Sequence, residues 1–300
     1  MNMMNVISTR RSKQWIIHLL FLVYIAATLF PLLLVFMVSI TEEKSLLIHG
    51  YSILPHQIDF SAYRYLFHDS QTIVRAYGVT ILVTIAGTIG SLLMTSLFAY
   101  PLSRRDFPFR TPLTFYVFFT MLFNGGLVPW YLVYTKYLSL DNTLLALIIP
   151  NLLMSGFNIL IMRTFFMNTI PPSIIESASI DGAGELRIFW QIILRLSLPV
   201  MSTIGLFCTL AYWNDWYNSL IFISDSHNYS IQYLLNKTLL DIQVLLSQTG
   251  NSGQSQLLAN APTETIRMAM AIIGIGPIIL AYPFFQKYIV QGLTVGAVKG

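Results

Sequence analysis

Seven consecutive residues, Tyr212-Trp213-Asn214-Asp215-Trp216-Tyr217-Asn218, hold the densest concentration of chemically capable side chains in the chain. Aromatic rings stack on the C–H faces of sugars, and amides and carboxylates bond to hydroxyls. The run supplies both kinds of group, and Asn124, Trp130 and Asn158 extend the candidate substrate path. A second reading fits the same residues, because Trp and Tyr gather where a membrane meets water. Asp215 is the exception within its apolar surroundings, and a charge at membrane depth is costly and usually functional.

Catalytic chemistry has no comparable signal. His18, His49, His56, His68 and His227 show no metal-ligand spacing such as H-E-x-x-H, so no metal site is expected. No Ser/His/Asp or Cys/His arrangement sits on a soluble scaffold, and no catalytic residue is assigned. The phosphate-binding pattern G-x-x-x-x-G-K-[ST] is missing, so any ATP hydrolysis belongs to another chain. Nothing suggests nucleic-acid binding.

The second concentration of signal is the segment PPSIIESASIDGAGELRIFWQIILRLSLPV, residues 171–200. Pro171 and Pro172 stop one helix. Ser173 with Glu176 three residues on reads as a capping box that starts the next. Asp181-Gly182 is a turn signal, and a second helix is expected from about Ala183–Glu185 to about Leu198. Small residues (Ala178, Gly182, Ala183, Gly184) lie among larger apolar ones (Ile180, Leu186, Ile188, Phe189, Ile193). Exposed apolar groups around a small-residue turn fit a protein docking surface. A helix lying on lipid headgroups fits them as well.

The elements that must position both segments are membrane helices. Of 300 residues, 55% are hydrophobic and 10% are charged, with mean hydropathy +0.65 and net charge +4. Soluble domains carry about 25% charged residues, so the lipid bilayer is the expected solvent. Six apolar stretches approach the roughly 20 residues a spanning helix needs: 16–40, 77–100, 112–134, 143–165, 200–223 and 266–289. The first is too long for a signal-peptide core and reads as an uncleaved anchor. Gly125-Gly126 in the third stretch reads as a close-packing site in preference to a helix break.

The 17 Lys and Arg residues divide 11 to 6 between the two sets of loops. The richer set includes Arg104 and Arg105, and the positive-inside rule puts it, with both termini, in the cytoplasm. Three segments lie outside the membrane in this reading. Thr41 to Arg75 is external, with a surface helix around Tyr63. The cytoplasmic loop covers about 166–198. A polar external loop covers about 224–265, and its 247–256 portion looks flexible. The lone Cys208 excludes an intrachain disulfide. The whole chain, 1–300, reads as a single all-α transmembrane domain.

Glu176-Ser177-Ala178-Ser179-Ile180-Asp181-Gly182-Ala183, followed by Phe189, Ile192 and Leu198-Pro199, resembles the EAA signature of ABC importer permeases. The departure within its core is Ser177, still a small residue. Further segments (99–104, 124–129, 161–166, 213–216, 282–287 and 296–300) are similar to the maltose-type carbohydrate-uptake branch, most closely to Gram-positive polysaccharide and oligosaccharide permeases. The resemblance implies a type I importer fold in which Glu176, Ala178, Asp181, Gly182, Ala183 and Phe189 couple to an ATPase. It also implies partners: a second homologous permease, two copies of an ATPase using Mg-ATP, and an extracellular sugar-binding lipoprotein. The tail at 296–300 would lie near the ATPases.

The expected function is therefore sugar or oligosaccharide import across the cell membrane by alternating access. An ion-coupled secondary transporter or channel working alone is the alternative. It would hold more carboxylates or histidines within the spans than this chain does.

Overall fold

The computed structural model describes residues 3–248 and 263–287, whose regular elements are all helices, joined by turns and loops that include an isolated antiparallel bridge between Thr41 and Ile58. In chain order the helices are α1 (Met3–Ser39), α2 (Glu43–His49), α3 (Ser61–Leu66), α4 (Ser70–Ser103), α5 (Arg110–Leu122) and α6 (Leu127–Leu132). Then come α7 (Leu145–Ile148), α8 (Gly156–Thr169), α9 (Pro172–Ile180), α10 (Glu185–Ile188) and α11 (Leu194–Leu196). The last are α12 (Leu198–Trp213), α13 (Tyr217–Phe222), α14 (Ile231–Gln248) and α15 (Thr263–Ile279).

Among the described residues three helices are long and apolar enough to cross a membrane: Gln14–Ser39, Ser61–Ser103 and Thr263–Lys287. Two bent pairs raise the number to as many as five. The expected third stretch is Arg110–Leu122 followed by Leu127–Tyr137, bent by 115°. Gly126 sits at φ +86°, which an L side chain resists, and no atom lies within 4 Å of where its Cβ would be. Gly125-Gly126 therefore breaks the helix; the close-packing expectation fails. The fourth stretch is divided between α7 and α8, with Asn151 at φ +62° after Pro150. The fifth is α12 and α13, separated by Asn214 to Trp216.

The described residues fall into two compact units. The first lies within Met1–Ser70 and Leu239–Ile275. Its α1 carries exposed apolar side chains along Trp15, Leu20, Tyr24 and Leu29, a surface suited to lipid. Ser39 and Tyr63 share a hydrogen bond of 2.8 Å between their hydroxyls, which ties the end of α1 to α3. The expected surface helix near Tyr63 is α3.

The second unit lies within Gln71–Thr238 and Gly276–Gly300. Its helix α4 inverts the water-soluble pattern. Thr80, Thr84, Thr88, Ser91 and Thr95 are buried, while Ile81, Leu82, Ile85, Ile89 and Leu97 are exposed. Their spacing of three and four places the hydroxyls on one face. Small polar residues let membrane helices approach and bond: Thr88 pairs with Thr209 at 3.3 Å and Ser91 with Cys208 at 3.2 Å. At Gly87 an added Cβ would overlap the Tyr212 ring. The Tyr212 hydroxyl donates to the Ile148 carbonyl at 2.9 Å.

The segment expected as a polar external loop at 224–265 contains α14. The backbone N–H of Ile231 donates to Thr80 Oγ1 at 2.8 Å, which fixes the start of this helix on α4. The portion at 249–256 and the tail at 296–300 lie outside the described residues.

Candidate functional site: the helix–turn–helix loop and an aromatic cavity

The loop forms the expected helix, glycine turn and helix. Its start differs from expectation. Pro172 occupies the first turn of α9 and Pro171 precedes it in extended conformation, with no side-chain cap. Proline suits the first helical position because its missing N–H would be unpaired there anyway. Ser173 therefore lies inside the helix, and the capping box with Glu176 does not form.

The end of α9 is a Schellman closure. The Gly182 N–H donates to the Ser179 carbonyl at 3.1 Å, and the Ala183 N–H to the Ala178 carbonyl at 2.9 Å. Gly182 adopts φ +81° with open space around it, the left-handed conformation this motif requires. Ala178 and Ala183 each pack against the core. Gly184 then leads into α10, and the segment Glu185–Leu196 meets α12 at a bend of 81° beside Pro199.

Burial divides the loop's apolar residues into two groups. Ile180 is 85% exposed and Leu186 71% exposed, flanking the Gly182 turn. Ile188, Phe189 and Ile193 were expected on the docking face, but they are buried in the core. Phe189 packs its ring 5.6 Å from that of Tyr100 and anchors the loop from beneath. Glu176, Asp181 and Gly182 are exposed, and Ala178 and Ala183 are half-buried.

Beside the loop, Arg104 forms a bidentate pair with Asp106 at 2.9 and 2.8 Å. Those hydrogen bonds hold the Asp106 carboxyl below the usual carboxylate range and push the Arg104 pKa upward. Arg104 thus has specific partners beyond the positive-inside role expected of it.

The aromatic run is divided by its own capping. Asp215 Oδ1 accepts from the backbone N–H groups of Tyr217 at 3.1 Å and Asn218 at 3.2 Å, and so starts α13. Asn218 is buried and its side-chain amide donates to the Pro150 carbonyl at 3.2 Å. Asn214 donates to the Leu210 carbonyl at 2.9 Å. Trp213 is buried, with its ring centroid 6.4 Å from that of Tyr77, whereas Trp216 is exposed. Asn158 is buried and donates to Cys208 Sγ at 3.7 Å.

Three of the expected path residues, Asn124, Trp130 and Tyr217, line an open cavity of about 660 Å³ with Tyr134 and Asn151. Asn124 Oδ1 accepts from the Gly126 N–H at 2.8 Å and shapes the break that opens this cavity. Trp130 stacks on Tyr217 at 6.1 Å. Asn151 was not singled out from the sequence; the Pro150-Asn151 pair is the signal it offers, and asparagine tolerates the left-handed backbone found there.

Residues 93–295 match the family described as "Binding-protein-dependent transport system inner membrane component". The chain belongs to this family. The match covers the loop, the aromatic run and the Tyr100–Arg104 segment. The polygalacturonan/rhamnogalacturonan transport system permease protein YtcP of Bacillus subtilis is 38% identical over 273 residues, 90% of this chain and 92% of that protein. Protein LplC of the same organism is 37% identical over 275 residues, 92% of this chain and 90% of that one. The crystal structure of a bacterial ABC transporter involved in the import of the acidic polysaccharide alginate contains a similar chain. That chain has a TM-score of 0.76 and 29% identity, with 93% of this chain and 97% of that one covered. A permease of this family sits in a membrane, as the exposed apolar helices require.

Proposed function

We propose that this chain is a permease subunit of an ATP-driven importer that carries a sugar or oligosaccharide across the cell membrane by alternating access. One observation carries the reading: in a chain of this permease family, the Gly182 turn presents Ile180 and Leu186 outward on a helix–turn–helix anchored below by Phe189. Exposed apolar side chains around a small-residue turn seek a protein surface. The proposed occupant is the ATPase, with Glu176, Ala178, Asp181, Gly182 and Ala183 at or beneath the contact.

Membership of the family supports the rest of the proposed assembly. A second homologous permease completes the path, two ATPase copies bind and hydrolyse Mg-ATP, and an external lipoprotein delivers the sugar. This chain acts as one permease domain and does no covalent chemistry. Six crossings are proposed, made by α1, α4, α5 with α6, α7 with α8, α12 with α13, and α15 with the residues after it. Both termini then face the cytoplasm. Sugar passes beside Trp130, Asn124 and Tyr217, while Asn158, Trp213, Asn214, Asp215 and Asn218 shape the path by holding its helices.

The test is to purify the tagged protein from its native membrane and identify what accompanies it. ATP hydrolysis is then measured with binding protein and oligogalacturonate, since a relative's name includes polygalacturonan. A second permease, an ATPase and stimulated hydrolysis are expected. A lone chain without an ATPase overturns the reading.

A further inference from the structure

The loop is joined covalently to α8 and α12 but not to α4. Two residues near the cytoplasmic end of α4 make the missing connection. The Tyr100 hydroxyl donates to Glu185 Oε2 at 2.6 Å, at the first residue of α10. The same ring packs on Phe189, one helical turn further along. Glu185 and Phe189 stand four apart and so present one face to Tyr100. Arg104 approaches the other carboxylate oxygen, with Nη2 3.5 Å from Glu185 Oε1, and its Nη1 donates to the Tyr100 hydroxyl oxygen at 3.5 Å. Asp106 fixes the guanidinium through Nε and the same Nη2.

We infer that Tyr100, Arg104 and Glu185 form a mechanical link that makes α4 follow the loop during the transport cycle. They are positioning residues, and the inference rests on the proposed docking of the loop to an ATPase. Three features support transmission over simple stabilisation. The Tyr100 side chain is largely buried while the Glu185 carboxylate is exposed, so the link runs from the bundle to the moving surface. Its acceptor is charged, which makes the 2.6 Å bond stronger than a neutral one. The helix it grips holds Gly87 against Tyr212 and Thr88 against Thr209, so motion of α4 reaches α12 well beyond the loop.

The test uses the complete transporter in proteoliposomes, with oligogalacturonate as the transported probe and Tyr100→Phe and Glu185→Gln as variants. The reading is sugar imported per ATP hydrolysed. A purely structural role lowers both rates together with the amount of folded transporter and leaves the ratio alone. A link predicts that hydrolysis persists while the ratio falls by about fivefold or more, as expected for loss of a charge-assisted hydrogen bond. Glu185→Gln keeps an acceptor oxygen for the Tyr100 hydroxyl and removes its charge, so adding it to Tyr100→Phe, where the donor is already gone, is expected to cost less than it does in the wild-type protein. Tyr100→Phe removes one hydroxyl and no packing, so it decides the matter if Glu185→Gln assembles poorly. An unchanged ratio in Tyr100→Phe overturns the link. A wild-type chain that does not associate with an ATPase overturns the docking reading, and the link with it, and is recognised by the missing subunit.

Discussion

Glu43 holds the start of a helix more than two hundred residues away: its Oε2 accepts from both the backbone N–H and the hydroxyl of Thr265, at 3.0 and 2.7 Å. Its other oxygen accepts from the Glu264 N–H at 3.0 Å and the Thr263 hydroxyl at 3.3 Å. The first N–H groups of a helix have no partner within it, and a negative charge there also complements the helix dipole. Glu43→Ala should lower stability by about 1–3 kcal/mol, by analogy with lost caps and stranded donors. Glu43→Gln, which keeps an acceptor, should cost less. Thermal unfolding of the detergent-solubilised protein checks the order, and equal midpoints for all three proteins would contradict it.

Gly87 offers a second stability test. Its missing side chain is what admits the Tyr212 ring. Gly87→Ala should cost about 1–3 kcal/mol, as overpacking does in a well-filled core. Adding Tyr212→Leu should return part of that loss, because the smaller side chain leaves room. A double variant no more stable than Gly87→Ala alone argues against the steric account.

The turn at Gly182 gives the sharpest functional prediction. Gly182→Arg should abolish transport while membrane insertion stays normal, because an arginine strains the left-handed turn at φ +81° and crowds any partner docked on it. Ile180→Asp and Leu186→Asp should weaken ATPase association by about tenfold or more each, since each puts a charge into an apolar contact. Co-purification of the ATPase with each variant and sugar uptake in cells are the readouts. Normal uptake by Gly182→Arg would remove the coupling role.

The aromatic residues should separate into two classes. Trp130→Ala should raise the half-saturating sugar concentration by about three- to tenfold, the scale of one aromatic contact. Trp213→Ala should instead lower the yield of folded protein, because a buried Trp costs about 3–5 kcal/mol when truncated. If Trp130→Ala changes only folded yield, the cavity lined by Trp130 and Tyr217 is not on the sugar path.

Composition and local order settled the membrane class, the helical fold and the loop, because each depends on neighbours in sequence. Low charge demands a bilayer, and Asp181-Gly182 turns the chain wherever that pair sits. The EAA-like spacing pointed to the family for the same reason. The inverted pattern of α4 was equally open to reading, as hydroxyls at 80, 84, 88, 91 and 95, but its meaning depends on the α12 residues that meet it. Local signals also misled: Ser173 and Glu176 have capping-box spacing, yet Pro172 already starts the helix.

What the tertiary structure decided is where side chains distant in sequence meet. Nothing near Tyr100 in sequence announces Glu185, and nothing near Glu43 announces Thr265; these bonds exist because packing closes those distances. Packing likewise sent Phe189 inward and left Ile180 and Leu186 exposed, and it separated Trp130 at a cavity from Trp213 in the core. An apolar or aromatic residue has the same local propensity in either place. Its burial is fixed by the helices that pack around it, so the sequence determined what kind of machine this chain belongs to, and the fold determined which residues stay exposed.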